Sequence, residues 1–163
     1  MIRTLLSKIR STQLRLSYSK KGIIVASNTK LANVNFCGTA TISEFCRLIG
    51  DPEISIGNNF YANVDCHFLG DISIGNDVLI GPKTIIWGRD HGIKKDIPIR
   101  EQPHNKEPIK IGNDVWIGAG VTILKGIEIA DGAVIGAGSI VTKSIPKNAI
   151  AVGNPAKVLS YRE

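Results

Sequence analysis

A six-residue period runs through two stretches of this sequence. Read from Ile111, six consecutive hexads begin with Ile or Val, and the same frame appears upstream from Ile56. The hexads read IGNNFY, ANVDCH, FLGDIS, IGNDVL, IGPKTI and IWGRDH, then IGNDVW, IGAGVT, ILKGIE, IADGAV, IGAGSI and VTKSIP. A period of six fits neither a helix nor a simple alternating strand. It predicts an all-β fold, a parallel β-helix in which short strands and sharp corners repeat three times per coil.

The hexad pattern also predicts where the side chains point. The first position faces the interior, where Ile residues stack from coil to coil, and Gly, Asn or Asp occupies the corners because the chain must bend there or adopt positive φ. Each coil buries its apolar edge only against its neighbours, so the array is a solenoid.

The break in the frame and the two ends of the chain define the predicted organisation. Residues 92–110 contain three prolines and many charges, and they are expected to leave the solenoid as a protruding loop. Residues 23–146 form the β-helix domain, in which residues 23–55 supply one or two irregular coils. Residues 1–22 are a basic segment whose apolar spacing over residues 2–17 suggests a short capping helix, and residues 147–163 are a C-terminal tail.

Composition narrows the class of protein. Of the 163 residues, 43% are hydrophobic and 21% are charged, which is typical of one globular domain. The net charge of +6 arises in residues 1–43, which contain basic but no acidic residues. This basic region is either a solvated flank or a contact for an anionic saccharide, a partner chain or a membrane surface; nucleic acid is disfavoured because no aromatic platform accompanies it. Three cysteines without a C-x-x-C pair favour reduced thiols in the cytoplasm, and no apolar run is long enough to span a bilayer.

Over roughly residues 54–158 the sequence resembles the hexapeptide-repeat acyltransferases. The segments that carry the resemblance are YANVDCHFLGDISIGNDVLIGP, GRDHG, IKIGNDVWIGAGVTILKGIEIADGAVIGAGSIVTKSIP and AVGNPAKV. They are most similar to the branch of galactoside, maltose and xenobiotic O-acetyltransferases and the O-acetyltransferases of bacterial surface polysaccharides. The resemblance implies a left-handed coil, a homotrimer, and acetyl-CoA bound in a groove between subunits, with no metal. It also implies direct attack of a sugar hydroxyl on the thioester, with no acyl-enzyme.

The resemblance assigns His91, in GRDHG, as the general base; without it, the residue types alone favour an ordinary surface loop histidine. Asn63 matches an acceptor-binding asparagine, although a corner asparagine with positive φ would look the same. Asp65 stands where relatives often have Asn, and its carboxylate is expected to select the acceptor hydroxyl or to stabilise the catalytic imidazolium. Trp116 matches a ring that lines the acceptor or pantetheine site, or else it packs on an outer face. The positions that match CoA contacts are Ala119, Ala137, Thr142, Lys143 and Lys157.

Two other activities remain open from the sequence. One is N-acetylation of an amino sugar nucleotide, and the other is a non-catalytic β-helical binding or structural module. The spacing of His67, His91 and His104 lacks the close histidine pair of the β-helical carbonic anhydrases, so no metal site is predicted. Cys66 is expected to be a small core residue, because Cys66 and His67 are adjacent and point to opposite faces of a strand. The acceptor is expected to be a saccharide contacted by the loop, and the basic residues suggest an anionic or large one.

Overall fold

The computed structural model describes residues 17–163, and within them the chain is a parallel β-helix, as the hexads predict. The predicted helix at residues 2–17 lies, except for its last residue, outside this range. In chain order the strands are β1 (Ile23–Val25), β2 (Lys30–Phe36), β3 (Ala40–Ile42), β4 (Arg47–Ile56), β5 (Phe60–Ala62), β6 (His67–Ile74), β7 (Leu79–Ile80), β8 (Ile85–Trp87), β9 (Arg89–His91), β10 (His104–Lys106), β11 (Ile109–Ile111), β12 (Trp116–Ile117), β13 (Thr122–Leu124), β14 (Glu128–Ile129), β15 (Val134–Ile135), β16 (Ile140–Val141), β17 (Ala149–Val152) and β18 (Lys157–Tyr161).

The strands form the three faces of a prism. Face A contains β1, β3, β5, β7, β12, β15 and β17, stacked in parallel. Face B contains the first halves of β2, β4 and β6, followed by β8, β13 and β16. Face C contains the second halves of β2, β4 and β6, followed by β11 and β14. Strand β18 runs antiparallel to β17 and closes the C-terminal end, so the predicted tail continues the sheet of face A.

The interior is built from the positions that the period selects. Every first hexad position, from Ile56 to Ile86 and from Ile111 to Val141, is at most 5% exposed. Fifth positions are buried as well, apart from Asp90 at the point where the frame breaks. Positive φ occurs at the fourth position, as the corner argument predicts. The residues concerned are Asn59, Asp65, Asp77, Lys83, Asp114, Gly120, Gly126, Gly132 and Gly138.

A ladder of side-chain amides supports the corner between faces C and A. The Asn76 Oδ1 atom accepts a hydrogen bond from the backbone N–H of Asn58 at 2.8 Å, and the Asn113 Oδ1 atom accepts one from Asn76 at 2.9 Å. The Asp131 Oδ1 atom continues the ladder by accepting from Asn113 at 2.7 Å. This ladder gives a structural reason for the recurrent Ile-Gly-Asn triplet.

The outer surfaces of the three faces differ in polarity. Face C is polar outside, with Ser73, Lys110 and Glu128 in register. Face A exposes Leu79 and Trp116, and face B exposes Ile85 and Trp87. Contiguous exposed apolar side chains on a domain surface indicate contact surfaces, so faces A and B are the surfaces suited to packing against another chain.

The extruded loop begins earlier and ends earlier than the predicted range of residues 92–110. Partners in neighbouring coils are 18 residues apart at Tyr61 and Leu79, but 37 apart at Leu79 and Trp116, so the excursion adds 19 residues to one coil. The predicted boundaries of 92 and 110 shift for two reasons. Strand β9 already leaves the frame at Arg89 to pair with β10, and Ile109 is fully buried in β11 on face C.

Candidate active site

His91 lies on a two-stranded antiparallel ribbon that projects from the corner between faces B and C. In this ribbon His91 of β9 is paired with His104 of β10, and their ring centroids are 4.4 Å apart. Both side chains are exposed, so the imidazole of His91 is open to a reacting group. Partial desolvation, together with the nearby charges of His91 and Arg89, lowers the pKa of His104. His104 therefore favours its neutral form beside the proposed base.

Ion pairs hold both sides of the ribbon. At its base Lys106 and Arg89 face Asp51 on the adjoining corner, and Lys106 Nζ lies 2.8 Å from Asp51 Oδ2. The hydrogen bond from Lys106 lowers the pKa of Asp51. On the opposite side Lys125 contacts Glu107, and its Nζ lies 4.0 Å from Asp90 Oδ2.

Asp90 does not orient the imidazole of His91. Successive side chains of a strand point to opposite sides, and Asp90 faces Lys125 while His91 faces His104. The carboxylate therefore fixes the ribbon and does not contact the candidate base.

A buried glutamine closes the loop beyond the ribbon. The Gln102 side chain is 6% exposed, and its Nε2 atom donates to the carbonyl oxygens of Lys94 at 2.9 Å and Ile97 at 2.7 Å. Its Oε1 atom accepts from the Lys94 N–H at 2.7 Å. A Cβ added at Gly92 would lie 2.7 Å from the same Oε1 atom, so the residue after His91 packs directly on Gln102.

Asn63 and Asp65 lie on a different corner, the one between faces A and B. Asn63 does not have positive φ, so the corner explanation for this residue fails; its Oδ1 atom accepts from the Val64 N–H at 2.7 Å. Asp65 is the residue with positive φ, at 59°, and its Oδ1 atom lies 3.4 Å from His67 Nε2. The corner role that could have accounted for Asn63 belongs to Asp65.

Four of the other predicted site residues divide between the same two corners. Ala119 and Ala137 stack at the corner between A and B, where the Gly138 N–H donates to the Ala119 carbonyl at 2.8 Å. Thr142 and Lys143 follow β16 at the corner between B and C, and all four residues are exposed. Trp116 is on the outside of face A, and Lys157 is on the closing strand β18.

Within one chain the structure therefore does not bring the predicted residues into a single cluster. Face B separates Asn63, at the corner between A and B, from His91, beyond the corner between B and C, and the three residues of β8 alone span about 10 Å. One hydroxyl group is therefore not expected to contact both side chains of the same chain. The hexad frame does not predict this separation, because it does not show which corners face one another in an assembly.

Sequence reasoning also missed the roles of His104 and Gln102. His104 was considered only as a metal ligand, and the pairing that places it beside His91 requires an antiparallel ribbon inside a segment without periodicity.

Among residues 17–163 no group of three or more His, Cys, Asp or Glu side chains is arranged to hold a metal ion. In the same range no helix combines the length and apolarity needed to cross a bilayer.

The cysteine next to His67 is a core residue, as predicted. Cys66 is fully buried, and its Sγ atom lies 3.3 Å from the Gly81 carbonyl oxygen, whereas His67 points outward. The hydrogen bond with Cys46, together with burial, raises the pKa of the Cys66 thiol. A thiol that stays protonated in the interior does not act as a nucleophile.

Comparison with known proteins gives matches that agree with this architecture. Residues 108–143 match the family described as bacterial transferase hexapeptide (six repeats). The galactoside O-acetyltransferase of Escherichia coli (strain K12) is 44% identical over 108 residues, which are 65% of this chain and 53% of that protein. The galactoside O-acetyltransferase of Lactococcus lactis is 40% identical over 111 residues, with 67% and 53% covered. The chain thus spans about half the length of the curated relatives it matches.

Solved structures extend the similarity over most of the chain. A maltose O-acetyltransferase from Clostridium difficile 630 superposes with a TM-score of 0.66 at 34% identity, covering 88% of this chain and 68% of that one. A galactoside acetyltransferase in complex with coenzyme A gives a TM-score of 0.67 at 33% identity, covering 92% and 70%. With its left-handed β-helix of hexapeptide coils, this chain belongs to the hexapeptide-repeat acetyltransferase family, alongside the galactoside and maltose O-acetyltransferases.

Proposed function

We propose that this chain transfers an acetyl group from acetyl-CoA to a hydroxyl of a sugar or of a surface-polysaccharide precursor. Support comes from relatives named galactoside and maltose O-acetyltransferase and from a structural neighbour in complex with coenzyme A. The observation that carries the proposal is the ribbon, which presents an exposed imidazole where the extruded loop interrupts the hexad frame. The reduced thiols expected from the sequence favour a cytoplasmic location.

In this mechanism His91 acts as the general base. Its imidazole takes the proton of the acceptor hydroxyl, the oxygen attacks the thioester carbonyl carbon, and the C–S bond breaks. The proton then passes to the departing CoA sulfur, so the enzyme returns to its starting state without a covalent intermediate. Histidine suits this role because its ordinary pKa lies close to neutral pH.

The active site is proposed to lie between two copies of the chain. His91 and Asn63 are separated by face B within one subunit, whereas a neighbour packed against an apolar face could supply the missing residue. We propose a homotrimer in which the corner between B and C of one subunit lies beside the corner between A and B of the next. The same arrangement lets Ala119 and Ala137 of one subunit face Thr142 and Lys143 of another across one groove.

The CoA-binding residues are proposed for that groove. Ala119 and Ala137 leave backbone groups accessible to the pantetheine arm because their side chains are small. Thr142 and Lys143 are exposed donors suited to phosphate oxygens, and Lys157 on β18 supplies a further positive charge. Trp116, Asn63 and Asp65 are proposed to contact the acceptor.

Mixing two inactive variants tests the shared site directly. Subunits carrying Asn63→Ala retain His91, and subunits carrying His91→Ala retain Asn63, so a mixed assembly contains sites in which both are intact. In a random 1:1 trimer about a quarter of the sites pair an intact His91 with an intact Asn63. We expect refolded mixtures to recover about 25% of wild-type thiol release from acetyl-CoA. His91→Ala alone should lose about 10²–10⁴-fold, and Asn63→Ala alone should fall well below the mixture.

The control is Asp71→Ala, which alters an exposed corner residue on the neighbouring coil and is expected to keep wild-type turnover. Mixtures no more active than the separate variants would show that one chain forms the whole site. If His91→Ala keeps more than about a tenth of the wild-type turnover, His91 is not the base.

N-acetylation remains a second candidate. N-acyltransferase structures from Bacillus cereus superpose with a TM-score of up to 0.75, but at 20% identity they support only the fold. The identities of 34% and 33% to maltose and galactoside enzymes favour a hydroxyl acceptor. A paired series of glucoside and glucosamine acceptors, read by thiol release, separates the two: an amine acceptor turned over faster than its hydroxyl counterpart would reverse the assignment.

A further inference from the structure

A cavity of about 330 Å³ opens on the outer surface of face B, beside the base of the ribbon. It spans three neighbouring coils and lies between the outward side chains of β4, β6 and β8 and the start of β9. Its size falls at the lower end of the range for small-molecule sites. The side chains that the argument uses are Arg47, Ile49, Asp51, His67, Trp87 and Arg89.

The charged groups of the cavity leave it positive. Arg47 and Arg89 both line it, and the only carboxylate in its lining, Asp51, is already paired with Lys106 at 2.8 Å and with Arg89 at 3.5 Å. Arg47 forms no ion pair with any residue in the range 17–163. Its guanidinium therefore has donors available for an anionic oxygen, and a planar guanidinium binds carboxylates and phosphates in bidentate geometry.

An apolar wall adjoins these charges. Ile49, Leu69 and Trp87 are in register on successive coils, and the indole of Trp87 is 38% exposed. Such a surface packs against the C–H face of a sugar ring while the guanidinium groups hold a charged substituent. The combination fits an acidic saccharide better than either a neutral sugar or an inorganic anion alone.

The cavity is also close to the proposed base. Arg89 and His91 are two residues apart in β9 and point to the same side of the ribbon, which places their Cα atoms about 7 Å apart. That separation is comparable to the span of one monosaccharide. An acceptor anchored by its anionic group in the cavity would present a hydroxyl near the His91 imidazole.

We propose that this cavity is an acceptor subsite for a sugar that carries an anionic group, a carboxylate or a phosphate ester, with Arg47 as its main ligand and Trp87 as the stacking surface. The proposal rests on the proposed function, because it names the acceptor class of the same site. Arg47, Arg89 and Trp87 then determine acceptor specificity, and the chemistry remains with His91.

Direct binding to the full chain tests the subsite without any turnover. The probes are methyl β-D-glucuronide, methyl β-D-glucoside and glucose 6-phosphate, titrated by calorimetry at low and high salt. We expect the glucuronide or the sugar phosphate to bind at least 10-fold more tightly than the glucoside, and the preference to shrink at high salt. The charged probe that binds more tightly shows whether the cavity prefers a carboxylate or a phosphate ester.

Variants of Arg47 assign the effect to one side chain. Arg47→Met should abolish the preference for the charged probe. Arg47→Lys should retain part of this preference, because lysine keeps the positive charge but cannot form the bidentate contact of a guanidinium. Lys147→Met removes an equally exposed charge away from the cavity and should bind the probes like the wild type. Thermal unfolding checks that each variant is folded.

The outcomes separate the subsite from the proposed function. Equal affinity for charged and neutral probes, or no effect of Arg47→Met, overturns the subsite, even if neutral sugars are acetylated. Binding that depends on Arg47, in a protein that releases no thiol with any acceptor, supports the subsite and refutes the proposed acetyl transfer.

Discussion

Replacing Gln102 should loosen the loop beside His91 while leaving the solenoid intact. The side chain is buried and makes three hydrogen bonds to the backbone of Lys94 and Ile97. Gln102→Leu keeps a similar volume but removes all three. The strands of the three faces do not use these groups, so the ladders that hold the coils together are unaffected.

The expected magnitude follows from the number of bonds lost. At a net contribution of about 1 kcal/mol per hydrogen bond, the substitution lowers the free energy of local loop opening by about 3 kcal/mol. This corresponds to an increase of roughly 100-fold in the equilibrium constant for opening. Gln102→Glu preserves the acceptor for the Lys94 N–H but directs a carboxylate at two carbonyl oxygens. It should therefore also open the loop, through the two lost donors and repulsion.

Hydrogen exchange at the Lys94 amide is the assay. Gln102→Leu should accelerate exchange at Lys94 about 100-fold and shift the global unfolding midpoint by no more than a few degrees. Glu101→Gln, an exposed change at the neighbouring residue, should alter neither measurement. Unchanged exchange at Lys94 would refute the bracing role, and a fall of 10 °C or more in the midpoint would refute the independence of loop and solenoid.

Three further perturbations test other parts of the structure. Gly118→Ala places a Cβ 2.6 Å from the backbone nitrogen of Ala137. This overpacking should destabilise the fold by about 1–3 kcal/mol and lower the thermal unfolding midpoint, followed by circular dichroism, by roughly 3–10 °C. The control Ser73→Ala, on the exposed outer side of face C, should leave the midpoint unchanged. Because the pKa of Asp51 is lowered in the folded state, its ion pair stabilises the fold above the ordinary Asp pKa, and this stabilisation is lost as the pH falls through the lowered value. In Asp51→Asn, the free energy of unfolding measured by urea titration should therefore depend less on pH below about pH 4 than in the wild type. Replacing residues 93–101 with a short Gly/Ser turn, which spares the ribbon, should raise the KM for the acceptor much more than the KM for acetyl-CoA, and equal changes in both would assign the loop to subunit packing.

The fold was predictable because a solenoid repeats one local rule. Burial of Ile at the first hexad position and positive φ at the fourth depend only on neighbouring coils, so a period in sequence becomes a period in space. Where the period fails, the prediction loses precision. The coils before residue 56 could not be aligned with the hexads, because the pairing register of β2 and β4 shifts within the strands. The predicted loop boundaries were displaced because strand pairing in the ribbon does not follow the six-residue period.

The candidate site was predictable only in part, for a related reason. His91 could be identified by motif, but its surroundings depend on contacts between distant residues: Asp51 with Lys106, and Gln102 with Lys94. Nothing in the spacing of these residues distinguishes them from solvated surface groups.

The split of the proposed site between two corners has a physical basis in the solenoid itself. A closely stacked β-helix has an interior filled by Ile ladders and corners closed by glycines whose added Cβ would meet backbone atoms within 3 Å, as at Gly81 and Gly118. Such a prism has no deep internal cleft, so a water-excluding site has to be built outside it, from a projecting element and an adjoining surface. The ribbon supplies the first, and the apolar outer surfaces of faces A and B can supply the second once another subunit covers them. Catalysis by this chain is therefore expected to depend on the proposed trimer, and dilution below the concentration at which that trimer dissociates should abolish turnover while the β-helix of each subunit stays folded.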